Sequence, residues 1–295
     1  MISASGKHGS GEAVKLAGAV TKGSGAVNED GWGVSGGSED VSAAWVFDGV
    51  TGINGRNYLP GASDAAWLVA RAQLHLETLT VGDTPLREIV GGLVQELIED
   101  WRAAASGIEF PADYDPPAAC LVLAKRYADG WQAARLGDSC LFARGADRKL
   151  LAIAPNNDFD HWLSKEARKR RDSGVLDVKG LLAEFRPLLL KGRSARNRPG
   201  GYGILEADAA AARFAEYFDL GRPSELLLCT DGYYRAVDYY GIHNDESLMA
   251  ASLTHGGVAQ VLAQIRSVEA GDPLCEKHLR FKPADDATAV MLRRL

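Results

Sequence analysis

Cysteine, positive charge and long apolar runs are all scarce in this sequence, and each shortage argues against a class of protein. Only four of the 295 residues are cysteines, and none belongs to a Cys-x-x-Cys pair, which argues against a disulfide scaffold or a cysteine-based zinc site. Acidic residues outnumber Lys and Arg by 39 to 33, which gives no support for nucleic-acid binding. No apolar run approaches the ~18 residues of a membrane-spanning helix. We therefore expect a cytoplasmic protein with neither nucleic acid nor a membrane among its partners.

Hydrophobic residues make up 46% of the chain and charged residues 24%, which are the proportions of an ordinary globular protein. The Gly/Ser-rich segment at the start, residues 1–14, is predicted to form a loose tail on its composition. The cysteines lie at positions 120, 140, 229 and 275, and we interpret them as small buried apolar residues.

Hydrophobic periodicity predicts an α+β order of elements. Ser63 is placed to N-cap a helix that runs to about Leu79. Thr84 and Pro85 are placed to open a second helix, whose apolar face extends to Trp101. Further helices are predicted within 155–203 and 244–271, and strands at 41–47, 118–125, 131–136, 140–143, 150–153, 213–220, 225–229 and 288–293. Because strands and helices do not alternate as in parallel βαβ units, a sandwich of sheets with helices outside is the favoured architecture.

Aspartates recur where predicted strands end or turns begin. They are Asp30, Asp48, Asp138, Asp231 and Asp285. Each alone is readily explained as a turn residue, since Asp-Gly and Asp-Ser favour turns. Together they favour another interpretation, because strand-end carboxylates can converge at one edge of a sheet and then repel one another unless a cation is present. Such hard oxygen ligands suit Mg²⁺ or Mn²⁺, and two ions about 3.5–4 Å apart can activate water and clamp a phosphate.

Five short motifs, in this order, resemble those of the metal-dependent type-2C serine/threonine protein phosphatases. They are Asn28-Glu29-Asp30, Phe47-Asp48-Gly49, Leu136-Gly137-Asp138-Ser139, Leu227-Leu228-Cys229-Thr230-Asp231-Gly232 and Asp285-Asp286-Ala287-Thr288. The resemblance implies a single domain over 15–295. It also implies a β-sandwich of two antiparallel sheets flanked by helices, with a helical flap insertion at about 155–203.

The resemblance also implies roles for individual residues. Asp48 matches the carboxylate that bridges two Mn²⁺ or Mg²⁺ ions, the Gly49 carbonyl a ligand of the second ion, and Asp231 and Asp285 ligands of the first. These three aspartates are accordingly the predicted catalytic residues. The remaining predicted metal residues are Glu29 and Asp30, acting largely through water, and Asp138, associated with a possible third and weaker ion.

The activity implied is hydrolysis of phosphoserine and phosphothreonine in proteins by direct attack of a metal-bridging hydroxide, with no phosphoenzyme. The expected partners are a phosphorylated protein and a cognate kinase that phosphorylates it. The flap carries a basic stretch around Lys165–Arg171, which is typical of a solvated helix face; docking of an acidic partner is the alternative.

The sequence departs from the family pattern at two positions. Many members carry a phosphate-binding Arg where this chain has Gly25, and Lys22 and Arg56 are the candidates to replace it, although each is also typical of a solvated surface cation. Some members place a proton-donating His after the Asp-Gly pair, where this chain has Val50.

These departures keep a second function open, in which a catalytically weak or inactive type-2C domain binds a phosphoprotein or another partner. A third candidate is a Gly-Asp-Ser esterase with Ser139 as nucleophile. It is disfavoured, because the only Asp-x-x-His, 158–161, follows too closely along the chain.

Overall fold

The computed structural model describes residues 14–37, 40–53, 55–155, 158–172 and 178–294. The predicted tail therefore lies outside the described residues, apart from Val14. The strands are β1 Val14–Thr21, β2 Gly31–Gly37, β3 Asp40–Val50, β4 Ala118–Arg126, β5 Trp131–Leu136, β6 Cys140–Arg144, β7 Leu150–Ile153, β8 Leu205–Glu206, β9 Glu216–Gly221, β10 Glu225–Cys229 and β11 Ala287–Arg294. The helices are α1 Asp64–Leu79, α2 Leu86–Ala104, α3 Asp158–Asp172, α4 Val178–Arg193, α5 Asp231–Asp238, α6 Asp245–Ser252 and α7 Gly257–Ala270.

The strands form two sheets in which every described pairing is antiparallel. The first sheet has the order β1-β11-β10-β6-β7, and the second has the order β2-β3-β4-β5-β9 with the short β8 paired to β4. The last strand thus lies between the first strand and β10, so that both ends of the described chain belong to the first sheet.

The two sheets pack face to face, and the alternation of side chains along β3 shows how. Ala44 and Val46 face the inter-sheet core, where they meet residues of the other sheet such as Leu228 and Val290. Trp45 and Phe47 point to the opposite face, where helices α1 and α2 cover the second sheet. Successive strand residues point to opposite faces, so one apolar strand supplies two cores.

Helices α5, α6 and α7 cover the outer face of the first sheet in the same way, with a core of their own. The protein is therefore a sandwich of two antiparallel sheets flanked by helices, which confirms the predicted fold class. No described helix combines the length and the apolar character that crossing a membrane requires.

Helices α3 and α4 occupy the segment expected to form a flap. Their apolar side chains Leu163, Ala167 and Phe185 form a small cluster with Leu279 and Phe281, from the segment before β11. This cluster connects the helical segment to the chain that leads into Asp285, which is important for the site below.

Two local predictions need correction, and two others are confirmed. Helix α1 begins as predicted, with Ser63 as its N-cap, but α2 begins only at Leu86 with Pro85 in the N-cap position and no side-chain cap. The stretch predicted as a strand from 213 starts instead with a 3-10 turn over Ala211–Phe214. All four cysteines are free and buried, as predicted.

Candidate active site

The predicted acidic residues meet at one edge of the sandwich. Asp48 lies near the end of β3, Asp138 in the turn between β5 and β6, and Asp231 at the start of α5, directly after β10. Asp285 precedes β11, and Asp30 precedes β2. Burial, followed by the charges of neighbouring aspartates, raises the pKa values of Asp30 and Asp48 well above their usual range. The two sheets thus bring together residues separated by more than 200 positions.

Two threonines from the first sheet hold Asp30. The hydroxyl groups of Thr230 and Thr288 donate hydrogen bonds to Asp30 Oδ2 over 3.1 and 2.8 Å. Asp30 Oδ1 is buried and has no hydrogen-bond partner among the described residues. A buried carboxylate oxygen without a donor is costly, and it is a feature expected of a cation site.

Asp48 and Asp231 form a coupled pair with opposite shifts. Burial, followed by the charges of Asp231 and Asp30, raises the pKa of Asp48 well above its usual value. Burial also acts to raise the pKa of Asp231, but the charge of Arg235 and a hydrogen bond with Asp48 outweigh it, so that this pKa is lowered. The two carboxyl groups therefore titrate as a pair and not independently.

Glu29 lies at the border of the cluster, and each of its two carboxylate oxygens accepts a hydrogen bond. Its carboxylate accepts hydrogen bonds from Ser63 Oγ at 2.5 Å and from Thr51 Oγ1, and its backbone N–H donates to Asp286 Oδ2 at 2.8 Å. Gly49 packs against it so closely that an added Cβ would lie 2.5 Å from the Glu29 carbonyl oxygen. Only glycine fits at position 49 without moving the backbone of Glu29.

Ser63 connects this carboxylate to helix α1, because its Oγ also accepts the N–H of Ala66 at 3.0 Å. We predict that Ser63→Ala lowers the free energy of unfolding by about 1–2 kcal/mol, as loss of an N-cap does. Ser63→Thr keeps the hydroxyl and is the matched control in urea unfolding. Equal stability of the Ala and Thr variants would contradict this role.

Cys120 is a site residue that sequence reasoning missed. It pairs with Asp48 across β3 and β4, and ligand atoms of Asp48, Cys120 and Asp138 all lie within 4.8 Å of one another. Gly137, at φ +86°, covers the thiol, and a Cβ there would lie 2.4 Å from Cys120 Sγ. Burial, together with the charges of Asp138 and Asp48, raises the pKa of the thiol well above its usual value, so it stays protonated.

Two cations contact the cluster, and sequence reasoning missed both. Arg235 Nη2 lies 2.9 Å from Asp285 Oδ2 and 3.5 Å from Asp231 Oδ2, and Lys282 Nζ contacts Asp285 Oδ1. Arg235 follows Asp231 by one turn of α5, so recognising that helix from the sequence would have placed it here.

Among the described residues, neither of the two predicted phosphate-binding cations pairs with a carboxylate of the cluster. Lys22 is exposed, and its Nζ donates to the carbonyl oxygen of Ala26 at 3.3 Å. Arg56 lines a shallow cavity with Asn57 and Tyr114.

The donor set fits hard divalent cations. It offers carboxylate oxygens from five chain segments, a buried oxygen without a donor on Asp30, and mutual repulsion that an added positive charge would relieve. Oxygen ligands of this kind are those of Mg²⁺ and Mn²⁺. Arg235 and Lys282 neutralise the Asp231–Asp285 side of the cluster, whereas no described ion pair involves Asp48.

The raised pKa values of Asp30 and Asp48 predict how stability depends on pH. The unfolded chain ionises these groups near pH 4, as ordinary aspartates do, whereas the folded chain keeps their protons longer. The contribution of these two groups to the free energy of unfolding is therefore complete below about pH 4. It is lost as the pH rises through their raised pKa values in the folded protein. The measurement is the urea midpoint of Asp48→Asn and of the wild type, both in the presence of chelator. We expect the variant to become increasingly more stable than the wild type as the pH rises above 4. A difference that is constant with pH would contradict the assignment.

Comparison with known proteins agrees with this geometry. The model of the family described as "Protein phosphatase 2C" matches residues 17–266. No curated protein matches the chain in sequence. The match to the family confirms the resemblance inferred from the five motifs.

Solved structures share the fold at low sequence identity. The serine/threonine phosphatase PstP/Ppp of Mycobacterium tuberculosis is 15% identical, with a TM-score of 0.57 over 96% of this chain and 99% of that one. Stp1 of Staphylococcus aureus is 14% identical, with a TM-score of 0.54 over 99% and 100%. The catalytic domain of PstP in complex with two manganese ions is 14% identical, with a TM-score of 0.52 over 95% and 98%.

Proposed function

Because the chain belongs to the protein phosphatase 2C family, we propose that it is an active metal-dependent phosphatase that hydrolyses phosphoserine and phosphothreonine in proteins. Family membership makes it a member of the protein serine/threonine phosphatase class of enzymes. The observation that carries the proposal of activity is the convergence of Asp48, Asp231 and Asp285 with Asp30 at one edge of the sandwich.

The proposed cofactors are two Mn²⁺ or Mg²⁺ ions, with a weaker third ion possible in principle. Asp48 and the Gly49 carbonyl, with Asp231 and Asp285, would hold the two ions, while Glu29, Asp30 and Asp138 would act around them. The manganese-bound structure of PstP, which shares this fold, supports the choice of metal. When bound, such ions would supply a water activated for direct attack on phosphorus and would neutralise the charge of the phosphate.

The chain's own residues prepare the site for this chemistry. Thr230 and Thr288 orient Asp30, and Ser63 and Thr51 orient Glu29, so that hydroxyl groups fix the carboxylates before any ligand arrives. Asp48 must give up its proton to serve as a ligand. Metal affinity is therefore expected to rise with pH.

A groove beside the cluster supports a protein substrate. It has a volume of about 710 Å³ and lies between α2 and the end of α4. Arg193, at the end of α4, donates to the carbonyl oxygen of Thr51 at 2.8 Å, which joins the groove to the loop that follows Asp48 and Gly49. The lining includes Trp101, Arg102, Tyr114, Leu190 and Arg198, as well as the acidic residues Asp113, Asp115, Glu206 and Asp208. Arg196 also lines the groove but is already paired with Asp115 and Glu206. Aromatic and arginine side chains of this kind suit the chain on either side of a phosphorylated residue.

The experiment is phosphate release from phosphoserine and phosphothreonine peptides with Mn²⁺, Mg²⁺ or chelator. We expect turnover with either metal and none with chelator. Equal release with chelator would contradict the metal-dependent mechanism.

A second candidate function rests on the ion pairs of Arg235 and Lys282. Since these cations already neutralise Asp231 and Asp285, the domain can bind a phosphoprotein without turning it over. Folded wild type that binds phosphopeptides but releases no phosphate with any metal would favour this function over the first.

A further inference from the structure

Lysine and arginine side chains bind phosphate through charged hydrogen bonds, and two cations that no motif assigns contact the cluster. Lys282 lies three residues before Asp285, and its Nζ contacts Asp285 Oδ1. Its side chain is 45% exposed, so a ligand entering from solvent can reach it.

The other cation of the site is less suited to bind a ligand. Arg235 contacts two carboxylates, Asp285 and Asp231, and its side chain is only 20% exposed. It is a counter-ion enclosed by the cluster. Lys282 has one carboxylate contact and a flexible four-carbon stem, so its three donors are free to reorient.

The backbone around Lys282 is held firmly on both sides. On one side the buried Arg280 binds Asp272 Oδ2 at 2.7 Å and the carbonyl oxygen of Pro283 at 2.8 Å. On the other side the N–H of Ser24 donates to the carbonyl oxygen of Ala284 at 2.9 Å. A flexible charged group on a rigid backbone segment is the arrangement expected of a residue that binds a ligand.

Lys282 also lies where the flap helices meet the carboxylate cluster. Its neighbour Phe281 packs with Phe185 of α4, with ring centroids 5.8 Å apart. A substrate phosphate that reaches the cluster beside α4 would therefore pass the ammonium.

We propose that Lys282 binds the substrate phosphate and so supplies the positive charge missing at Gly25. The inference rests on the proposed phosphatase function and names one of its binding residues. A metal ion held by Asp285 would compensate the charge of this carboxylate, which would leave the ammonium of Lys282 available to the phosphate.

The test is calorimetric titration of inorganic phosphate into the Mn²⁺-loaded protein. We expect Lys282→Met to weaken phosphate binding by at least about tenfold, the scale of one charged hydrogen bond, and Lys282→Arg to restore part of it. With a phosphopeptide substrate, the same loss is expected in KM. Lys149→Met is the matched control, because Lys149 is an exposed lysine next to β7, at the end of β6 remote from Asp138. It is expected to bind phosphate as the wild type does.

Lys22→Met and Arg56→Met are titrated with phosphate in parallel, because Lys22 and Arg56 are the alternative phosphate-binding residues. Weakened phosphate binding in either of them, with Lys282→Met unchanged, overturns the proposal. A parallel loss of Mn²⁺ affinity in Lys282→Met also overturns it, because the effect would then act through the metal. Wild type that binds no phosphate overturns it as well. Wild type that binds phosphate through Lys282 but never releases it from peptides supports this inference and contradicts the proposed function, so the two failures are distinguishable.

Discussion

Asp48→Asn is expected to lower kcat by roughly 10²–10³-fold or more, the scale of removing one preorganised electrostatic group. Asp48 lies at the centre of the cluster, within reach of Asp30, Asp138 and Asp231. The variant keeps the shape of the side chain but removes the charge that would join two cations. The measurement is Mn²⁺-dependent phosphate release from a phosphothreonine peptide at saturating substrate.

The fold of this variant is expected to survive. Asp48 is a buried carboxylate that neighbouring charges disfavour, so its neutral amide should leave the metal-free protein as stable as the wild type or more stable. Asp129→Asn is the matched control, since Asp129 is exposed in the turn at the opposite end of β4. Activity in Asp48→Asn within tenfold of this control would contradict the role of Asp48.

Gly49→Ala is expected to lower the free energy of unfolding by about 1–3 kcal/mol, the cost of forcing a methyl group into a packed site. The added Cβ would lie 2.5 Å from the carbonyl oxygen of Glu29, and backbone cannot rotate away as a side chain does. Because Glu29 would be displaced, phosphate release should fall in the folded fraction as well. Urea unfolding and kinetics of the same preparation measure both effects.

Gly91→Ala supplies the matched control for this substitution. Gly91 lies inside α2, and a Cβ there has no neighbour within 4 Å. Alanine in a helix interior is favoured over glycine by roughly 0.5–1 kcal/mol, so this variant should be more stable than the wild type. If both variants change stability in the same direction, the close approach of Gly49 to Glu29 is not the cause.

Local sequence patterns single out the aspartates because each stands next to a strand: Asp48, Asp138 and Asp231 lie near or after strand ends, and Asp30 and Asp285 precede strands. The strand before Asp48 and the strand before Asp231 are continuous apolar runs, and both are buried in the structure. Helix α1 is also predicted to its ends, since Ser63 carries a recognisable cap signal. The convergence of the aspartates follows from the family resemblance and from no single motif.

The cations of the site were not predictable from local pattern, and the reason differs for each. Asp231-Gly232 is typical of a turn, yet here it opens α5 and so brings Arg235 back to Asp231 one turn later. Lys282 reaches the cluster through the irregular segment before β11, whose path depends on the buried contacts of Arg280. The contact of Lys282 has no signal in periodicity or propensity, because these describe neighbours along the chain.

Strand pairing is the other feature of the site that local sequence patterns do not predict. Cys120 becomes a neighbour of Asp48 only because β3 and β4 pair in one register, and a shift by one residue would turn the thiol to the opposite face. Strand β1 pairs with β11 from the other end of the chain, a contact that no local window contains. These long-range pairings determine which residues share the site.

The central claim, that the carboxylate cluster holds divalent ions, is tested most directly by calorimetric titration of Mn²⁺ into the metal-free protein near neutral pH. The account predicts at least two ions per chain for the wild type, with proton release because Asp48 is ionised on binding, and fewer ions for Asp48→Asn. Wild type that binds no Mn²⁺, or Asp48→Asn that binds as many ions with the same affinity, would contradict it.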